Sequence, residues 1–164
     1  MDEILLALSS SVGKALVDRE YTISTAESCT GGLLSHVLTG ISGESAYFMG
    51  GVIAYSNVVK AQVLGVEAAT LERDGAVSAQ TARQMAEGAR RKFDTDFGLS
   101  TTGIAGPTGG TPEKPVGLVW IGISTPDKTQ THACHFSGDR LEVMRSTVIE
   151  ALTCLLDELG GVEG

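Results

Sequence analysis

Apolar positions recur along the chain with two periods, one typical of helices and the other of strands. Over residues 3–19 they fall at helical spacing, at Ile4, Leu5, Leu8, Val12, Ala15 and Leu16. The same criterion predicts further helices over 31–40, 56–66, 67–73, 77–93 and 139–159. Runs with β-branched residues or strict alternation predict strands over 21–27, 46–55, 95–103, 117–125 and 129–137.

Some positions allow finer predictions. The pair Gly50–Gly51 inside a predicted strand indicates a bulge or a close backbone contact. Ser78 is predicted to be the N-cap of the helix over 77–93. In two helices the spacing predicts inward-facing side chains, which are Val59, Val63 and Leu64 in the first and Leu141, Met144, Val148, Ala151, Leu152 and Leu155 in the last.

The order of these elements predicts one domain, spanning 1–164. Strands alternate with helices until 117–125 and 129–137, which are joined by a short turn and predict a hairpin. We therefore expect a three-layer α/β/α sandwich with a mixed, mostly parallel sheet and one antiparallel strand. In such sheets ligands bind beyond the carboxyl ends of the strands, where loops 28–32, 55–57 and 103–115 would gather.

Composition narrows the class of protein. Of the 164 residues, 42% are hydrophobic but only 5% aromatic, which predicts an aliphatic core. The formal net charge of −8 argues against nucleic-acid binding and against an electrostatic membrane anchor. The three cysteines form no disulfide framework, and the N-terminal residues lack the features of a secretory signal. We therefore expect a cytoplasmic protein with neither a nucleic acid nor a membrane as partner.

The segment STAESCTGG, residues 24–32, holds the first candidate for catalysis. Ser28 follows a predicted strand, where it could be either the N-cap of the next helix or a nucleophile. Gly31 and Gly32 would let a substrate approach the backbone closely, and amides from Thr30 onwards could stabilise an oxyanion. Glu27 is a candidate for holding this turn together.

A serine nucleophile needs a base, and none of the three histidines is suitably spaced. The segment YSNVVK offers Tyr55, which closes a predicted strand, and Lys60, which lies about one turn into the following helix. Lysine becomes a base only if burial or a nearby cation lowers its pKa. The alternative is an exposed lysine and a packed tyrosine without catalytic roles.

The glycine-rich segment TTGIAGPTGG follows the third predicted strand. Gly103, Gly106, Gly109 and Gly110 would let the backbone approach a ligand and donate amide hydrogens, although a surface turn is the alternative. The candidate binding residues in this segment are Gly103, Ala105 and Gly106. The segment has neither the Gly-Lys-Ser/Thr of a P-loop nor the glycine spacing of a dinucleotide site. Arg140, near the start of the last helix, could bind an anionic group or pair with an acid.

Two further sites are weaker candidates. Cys29 adjoins Ser28 and could itself be a nucleophile, but a small residue in a turn explains it equally well. The segment HACH places His132 and Cys134 on one face of a strand and His135 on the other, so all three cannot bind one ion. We expect no metal and no cofactor.

Four segments, TAESCTGG, GGVIAYSNVVK, TGIAGPTGG and GLVWIGI, resemble the CinA C-terminal domain family, the nicotinamide-nucleotide amidohydrolases. The resemblance extends over about residues 4–158. Some members carry an additional N-terminal domain of the molybdopterin-binding type, and this chain is expected to be the stand-alone form. The resemblance implies a three-layer α/β/α fold with a mixed sheet and a homo-oligomer.

The resemblance also implies a reaction, which is hydrolysis of the carboxamide of nicotinamide mononucleotide to nicotinic acid mononucleotide and ammonia. The nucleophile would be Ser28, with Lys60 and Tyr55 as its partners, without a metal. The role implied is the recycling of pyridine nucleotides. Two alternatives stay open, a silent paralogue that binds a nucleotide without turnover and a structural or interaction domain.

Overall fold

The computed structural model describes residues 1–160 and has the predicted three-layer α/β/α architecture. The strands are β1 (Ile23–Glu27), β2 (Phe48–Ile53), β3 (Phe97–Gly103), β4 (Leu118–Ser124) and β5 (Thr129–His135). The helices are α1 (Glu3–Asp18), α2 (Leu33–Leu38), α3 (Asn57–Leu64), α4 (Ala68–Asp74), α5 (Ala79–Phe93) and α6 (Arg140–Gly160). A 3₁₀ turn over Glu44–Ala46 precedes β2.

The five strands form one mixed sheet in the order β2-β1-β3-β4-β5. Strand β1 pairs in parallel with β2 and β3, whereas β4 is antiparallel to both β3 and β5. Within residues 1–160, β4 alone opposes the other strands, so the predicted hairpin and single antiparallel strand are confirmed. The carboxyl ends of β1, β2 and β3 therefore lie at one edge of the sheet.

Helices cover both faces of the sheet and enclose two apolar clusters. Helices α1, α2 and α6 pack on one face, and α3, α4 and α5 on the other. The first cluster is the larger and is dominated by aliphatic side chains, as the composition predicts. Ser78 caps α5 as predicted, because its side chain accepts a hydrogen bond from the amide of Thr81.

The prediction of a bulge or a close backbone contact at Gly50–Gly51 is confirmed, and both features are present in β2. Ile23 pairs with Phe48 but Ser24 pairs with Gly50, so the register shifts by one residue. A Cβ atom on Gly51 would collide with the hydroxyl groups of Thr25 and Ser35. Only glycine lets β2 pass this close to β1 and α2.

Some predicted inward positions were wrong. Leu141 is 72% exposed, and Val143 takes the inward place in the first turn of α6. In α3 the buried residues are Lys60 and Leu64, whereas Val63 is 36% exposed. An eight-residue helix has too little periodicity to identify its buried face, and the lysine is tolerated there because its amine finds hydrogen-bond partners.

No helix among residues 1–160 combines the length and apolar character that crossing a bilayer requires. The last four residues of the predicted domain lie outside the described residues.

Candidate active site

A cavity of about 320 Å³ opens at the carboxyl ends of the parallel strands. It contains residues from each of the three connections that the sequence analysis singled out. Most of the predicted site residues are among those that line it, namely Ser28, Tyr55, Lys60, Gly103, Ala105, Gly106 and Arg140. The remaining lining residues are Cys29, Ala76, Val77, Thr102, Ile104, Thr108 and Gly109.

A serine and a lysine meet at the base of this cavity. The Nζ atom of Lys60 lies 3.0 Å from the Oγ atom of Ser28. The same nitrogen donates to the backbone oxygens of Ala54, at 2.8 Å, and Tyr55, at 3.2 Å. Lys60 is fully buried, whereas Ser28 retains 9% exposure. The amine is therefore held between the ends of β1 and β2.

These partners can satisfy the Lys60 amine in either protonation state. An ammonium can donate to both carbonyls and to Ser28, whereas a neutral amine can donate to both carbonyls and accept from the serine hydroxyl. Burial lowers the pKa of Lys60, and the nearby Cys29 sulfur opposes this with a smaller effect. The arrangement can therefore exchange a proton between Ser28 and Lys60 without breaking the other two hydrogen bonds.

Cys29 is poorly suited to be the nucleophile. Its side chain is only 5% exposed, and burial raises the pKa of its thiol to about 12. A reactive cysteine needs its thiolate form, which burial in apolar surroundings disfavours. The hydroxyl of Ser28, with an amine beside it, is the better candidate.

Ser28 is not the N-cap of the following helix, so the structural alternative for this residue is wrong. Helix α2 begins at Leu33 and has Gly32 at its N-cap position. The carboxylate of Glu27 caps it instead, accepting from the amides of Leu34, at 2.8 Å, and Ser35, at 3.1 Å. The prediction that Glu27 holds this turn is confirmed.

The geometry does not bring the segment 30–32 into the cavity lining. The Thr30 hydroxyl donates to Glu27 at 2.6 Å, and the Gly31 amide donates to the Ser28 carbonyl at 3.1 Å. Since Glu27 also accepts the Leu34 and Ser35 amides, and none of the residues 30–32 lines the cavity, these residues are poorly placed to bind an oxyanion there. The alternative segment, 103–106, lies against it.

The loop after β3 supplies backbone groups that face the cavity. The amides of Ala105 and Gly106 have no backbone acceptor within residues 1–160. Gly106 has φ +80°, and a Cβ atom there would collide with Val116, so the loop requires glycine at this point. Gly103, the last residue of β3, also lines this side of the cavity.

Arg140 connects this loop to Tyr55. Its Nη1 donates to the Gly106 carbonyl at 2.9 Å and its Nη2 to the Tyr55 hydroxyl at 2.7 Å. Tyr55 is 59% exposed, and it accepts a hydrogen bond from Lys60 through its backbone oxygen. Its phenol therefore lies with Arg140 at the cavity rim, and not between Ser28 and Lys60.

Two further residues contribute to the site through their main-chain atoms and were not predicted. The Ala54 carbonyl holds the lysine amine, and Thr101 accepts the Ser28 amide at 2.9 Å through its backbone oxygen. Both act through main-chain atoms, which no residue type reveals. Elsewhere, among residues 1–160 no three His, Cys, Asp or Glu side chains are grouped so as to hold a metal.

The fold and this site define a class of protein, an α/β sandwich with a buried serine–lysine pair at the carboxyl edge of its parallel strands. The chain belongs to the CinA C-terminal domain family, whose family model matches residues 5–159.

Named relatives agree with this assignment. The chain is 50% identical over 150 residues to a competence-damage inducible protein of Thermoanaerobacter pseudethanolicus, covering 92% of this chain and 36% of the relative. It is 56% identical over 134 residues to a CinA-like protein of Cyanothece sp., covering 82% of this chain and 32% of that protein. The chain thus spans about a third of the length of the curated relatives it matches.

Solved structures share the fold over nearly the whole chain. The competence/damage inducible protein CihA from Agrobacterium tumefaciens superposes with a TM-score of 0.93 at 39% identity, covering 98% of both chains. The competence damage-inducible protein A from Klebsiella pneumoniae superposes with a TM-score of 0.94 at 33% identity, covering 97% of this chain and 99% of that one.

Proposed function

We propose that this chain is an amidohydrolase that converts nicotinamide mononucleotide to nicotinic acid mononucleotide and ammonia. The observation that carries the proposal is the fully buried amine of Lys60, 3.0 Å from the Ser28 hydroxyl and flanked by two carbonyl acceptors. The substrate follows from the resemblance of the motifs. On the same resemblance we propose a cytoplasmic homo-oligomer.

Acylation begins when neutral Lys60 takes the hydroxyl proton of Ser28 as the serine oxygen attacks the carboxamide carbon. The carbonyl electron pair moves to oxygen and gives a tetrahedral intermediate. When this intermediate collapses, the C–N bond breaks and the Lys60 ammonium returns the proton to the leaving nitrogen, which departs as ammonia.

Deacylation repeats these steps with water. Lys60 accepts a proton from the water that attacks the ester carbon, and then returns it to the Ser28 oxygen as the acid leaves. The two carbonyl acceptors keep the amine in place through both half-reactions, because they accept from it in either protonation state.

We assign the oxyanion to the backbone amides of Ala105 and Gly106. Both residues line the cavity, and neither amide has another backbone acceptor within the described chain. One such donor is typically worth about 3–4 kcal/mol of the barrier. The Arg140 guanidinium, at the rim, is the group we assign to the phosphate of the mononucleotide.

A second function has a specific observation in its favour. Arg140 and the loop amides could bind a nucleotide without turnover, which requires nothing of Lys60. Turnover, by contrast, requires an amine beside the serine, so the buried amine of Lys60 next to the Ser28 hydroxyl favours the enzyme.

Ammonia release from nicotinamide mononucleotide tests the proposal. The native chain should release ammonia, and Ser28→Ala should abolish it while leaving nucleotide binding intact. Ser24→Ala is the matched control, because it removes a buried hydroxyl from β1, the strand that precedes Ser28, away from the cavity. Saturable binding without ammonia from the native chain would establish the binding module instead.

A further inference from the structure

The carboxylate of Glu27 is a buried acidic group that the proposed mechanism does not use. It is fully buried and directly precedes Ser28. It accepts four hydrogen bonds, from the Thr30 hydroxyl at 2.6 Å, the Leu34 amide at 2.8 Å, and the Ser35 amide and hydroxyl at 3.1 and 2.7 Å. No lysine or arginine within residues 1–160 forms an ion pair with it.

Glu27 fixes the direction of two chains of hydroxyl groups. Thr30 gives its only hydroxyl proton to Glu27, so the 2.7 Å bond between Thr30 and Thr101 must be donated by Thr101. Ser35 likewise gives its proton to Glu27, so Thr25 must donate the 2.8 Å bond to Ser35. The carboxylate is the final acceptor of both chains.

One of these chains connects directly to the serine. Thr101 accepts the Ser28 amide through its backbone oxygen, at 2.9 Å, and donates to Thr30 through its side chain. The residues on either side of Cys29 are thus both tied to β3. Glu27 therefore holds Thr30 and the start of α2, which follow Ser28 in the chain.

We propose that Glu27 is a positioning residue, which sets the Ser28 hydroxyl against the Lys60 amine by clamping the turn 28–32 between α2 and Thr101. This inference rests on the proposed function, because it takes Ser28 as the nucleophile. Glu27 itself does not line the cavity and acts only through the turn.

A glutamine cannot replace this carboxylate. One oxygen accepts from the Leu34 amide and the other from the Ser35 amide, so the NH₂ group of a glutamine would face a backbone N–H in either orientation. One of the amides would lose its acceptor and the turn would shift. A misplacement of about 1 Å can cost roughly 100-fold in rate, which is the loss we expect in Glu27→Gln.

The rate of Ser28 sulfonylation measures nucleophile position without depending on the substrate. Phenylmethanesulfonyl fluoride reacts with a serine by forming an S–O bond and expelling fluoride, while the hydroxyl proton passes to the base. Intact mass and peptide mapping would follow labelling at Ser28. Binding of nicotinic acid mononucleotide, measured in parallel, reports on the cavity.

We expect Glu27→Gln to lose labelling rate while keeping native affinity for the mononucleotide. Thr30→Val removes one donor to Glu27 at nearly constant shape, so its labelling rate should fall by a smaller factor. This second variant tests the proposal if Glu27→Gln does not fold. Ser9→Ala is the control, because it removes a hydrogen bond to the Val37 carbonyl at the other end of α2.

The outcomes separate this inference from the proposed function. A native chain that is not labelled at Ser28 overturns both. Labelling of the native chain with native rates in both Glu27→Gln and Thr30→Val overturns the positioning role alone. Equal losses of labelling and of mononucleotide affinity, or equal losses in Ser9→Ala, also overturn it, because they indicate general loosening of α2.

Discussion

Lys60 and Ser28 are 32 residues apart in sequence, yet the lysine Nζ lies 3.0 Å from the serine Oγ. They belong to successive connections, after β2 and after β1, and these parallel strands bring the two connections to one edge of the sheet. The Lys60 side chain is fully buried. This distinguishes it from an ordinary lysine, because lysine side chains are almost never fully buried unless they are paired.

Replacing Lys60 by methionine should remove the proposed general base while filling most of its volume. We expect kcat for ammonia release to fall by roughly 10²- to 10⁴-fold, the usual contribution of a general base. Steady-state kinetics with nicotinamide mononucleotide would measure it. Lys114→Met is the matched control, because Lys114 also donates to a backbone carbonyl, that of Asp74, outside this cavity. Native turnover in Lys60→Met would rule out its role as the base.

The pH dependence of acylation should follow the lowered pKa of Lys60. Only the neutral amine can accept the Ser28 proton, so the rate should rise with pH and level off below 10.5, the ordinary pKa of a lysine. The rate of Ser28 labelling against pH would show this inflection. A rate that climbs without a plateau as far as 10.5 would contradict a lowered pKa.

The same lowered pKa predicts the pH dependence of stability. The unfolded chain binds the Lys60 proton more tightly, so the free energy of unfolding should rise with pH between the folded pKa and 10.5. Urea unfolding of the native chain and Lys60→Met should show this rise as a difference between the two. Measurements should stay well below 9.0, the ordinary pKa of a thiol, because the raised pKa values of Cys29, Cys134 and Cys154 make the free energy of unfolding fall as the pH rises through that value.

Tyr55→Phe tests which part of this residue matters. The substitution removes the 2.7 Å hydrogen bond to Arg140 and leaves the backbone carbonyl that holds Lys60. We therefore expect KM for the mononucleotide to rise with little change in kcat, as measured by initial rates. Arg140→Lys, which cannot keep both of its hydrogen bonds, should raise KM further. A large fall in kcat alone would indicate a proton relay through the phenol.

Gly88→Ala should destabilise the chain although alanine favours helices. A Cβ atom at Gly88 would collide with the backbone carbonyl oxygen of Leu64, at the end of α3, and would lie 2.9 Å from its carbonyl carbon. Overpacking costs about 1–3 kcal/mol, against a gain in helix propensity of about 1 kcal/mol. We expect a net loss of about 1 kcal/mol in urea unfolding.

Glu87→Ala, one position earlier in α5, is the control for this substitution. It removes only the partly exposed Arg83–Glu87 pair, whose atoms lie 3.9 Å apart. Such a pair contributes roughly 0–1 kcal/mol, so little change in stability is expected. Gly88→Ala with native stability would show that α3 moves away freely.

Much of the fold followed from local sequence patterns. The hairpin of β4 and β5, the bulge at Gly50 and the cap at Ser78 were all predicted, because each depends on neighbouring residues. Burial was harder to predict. Val63 and Leu141 were expected inside because they are apolar, but their exposure depends on whether another element covers them.

By itself the sequence determined the order of the elements and the residues that could react, since periodicity, turn chemistry and residue type are properties of short segments. Only the tertiary structure decided how those residues are used. In the folded chain the Lys60 amine is buried between two carbonyls, and the Glu27 carboxylate caps the N-terminus of α2. Tyr55 forms a hydrogen bond with Arg140, which is 85 residues away in sequence. These partners come from different strands and helices, and no local pattern records which of them the folded sheet brings within hydrogen-bonding distance.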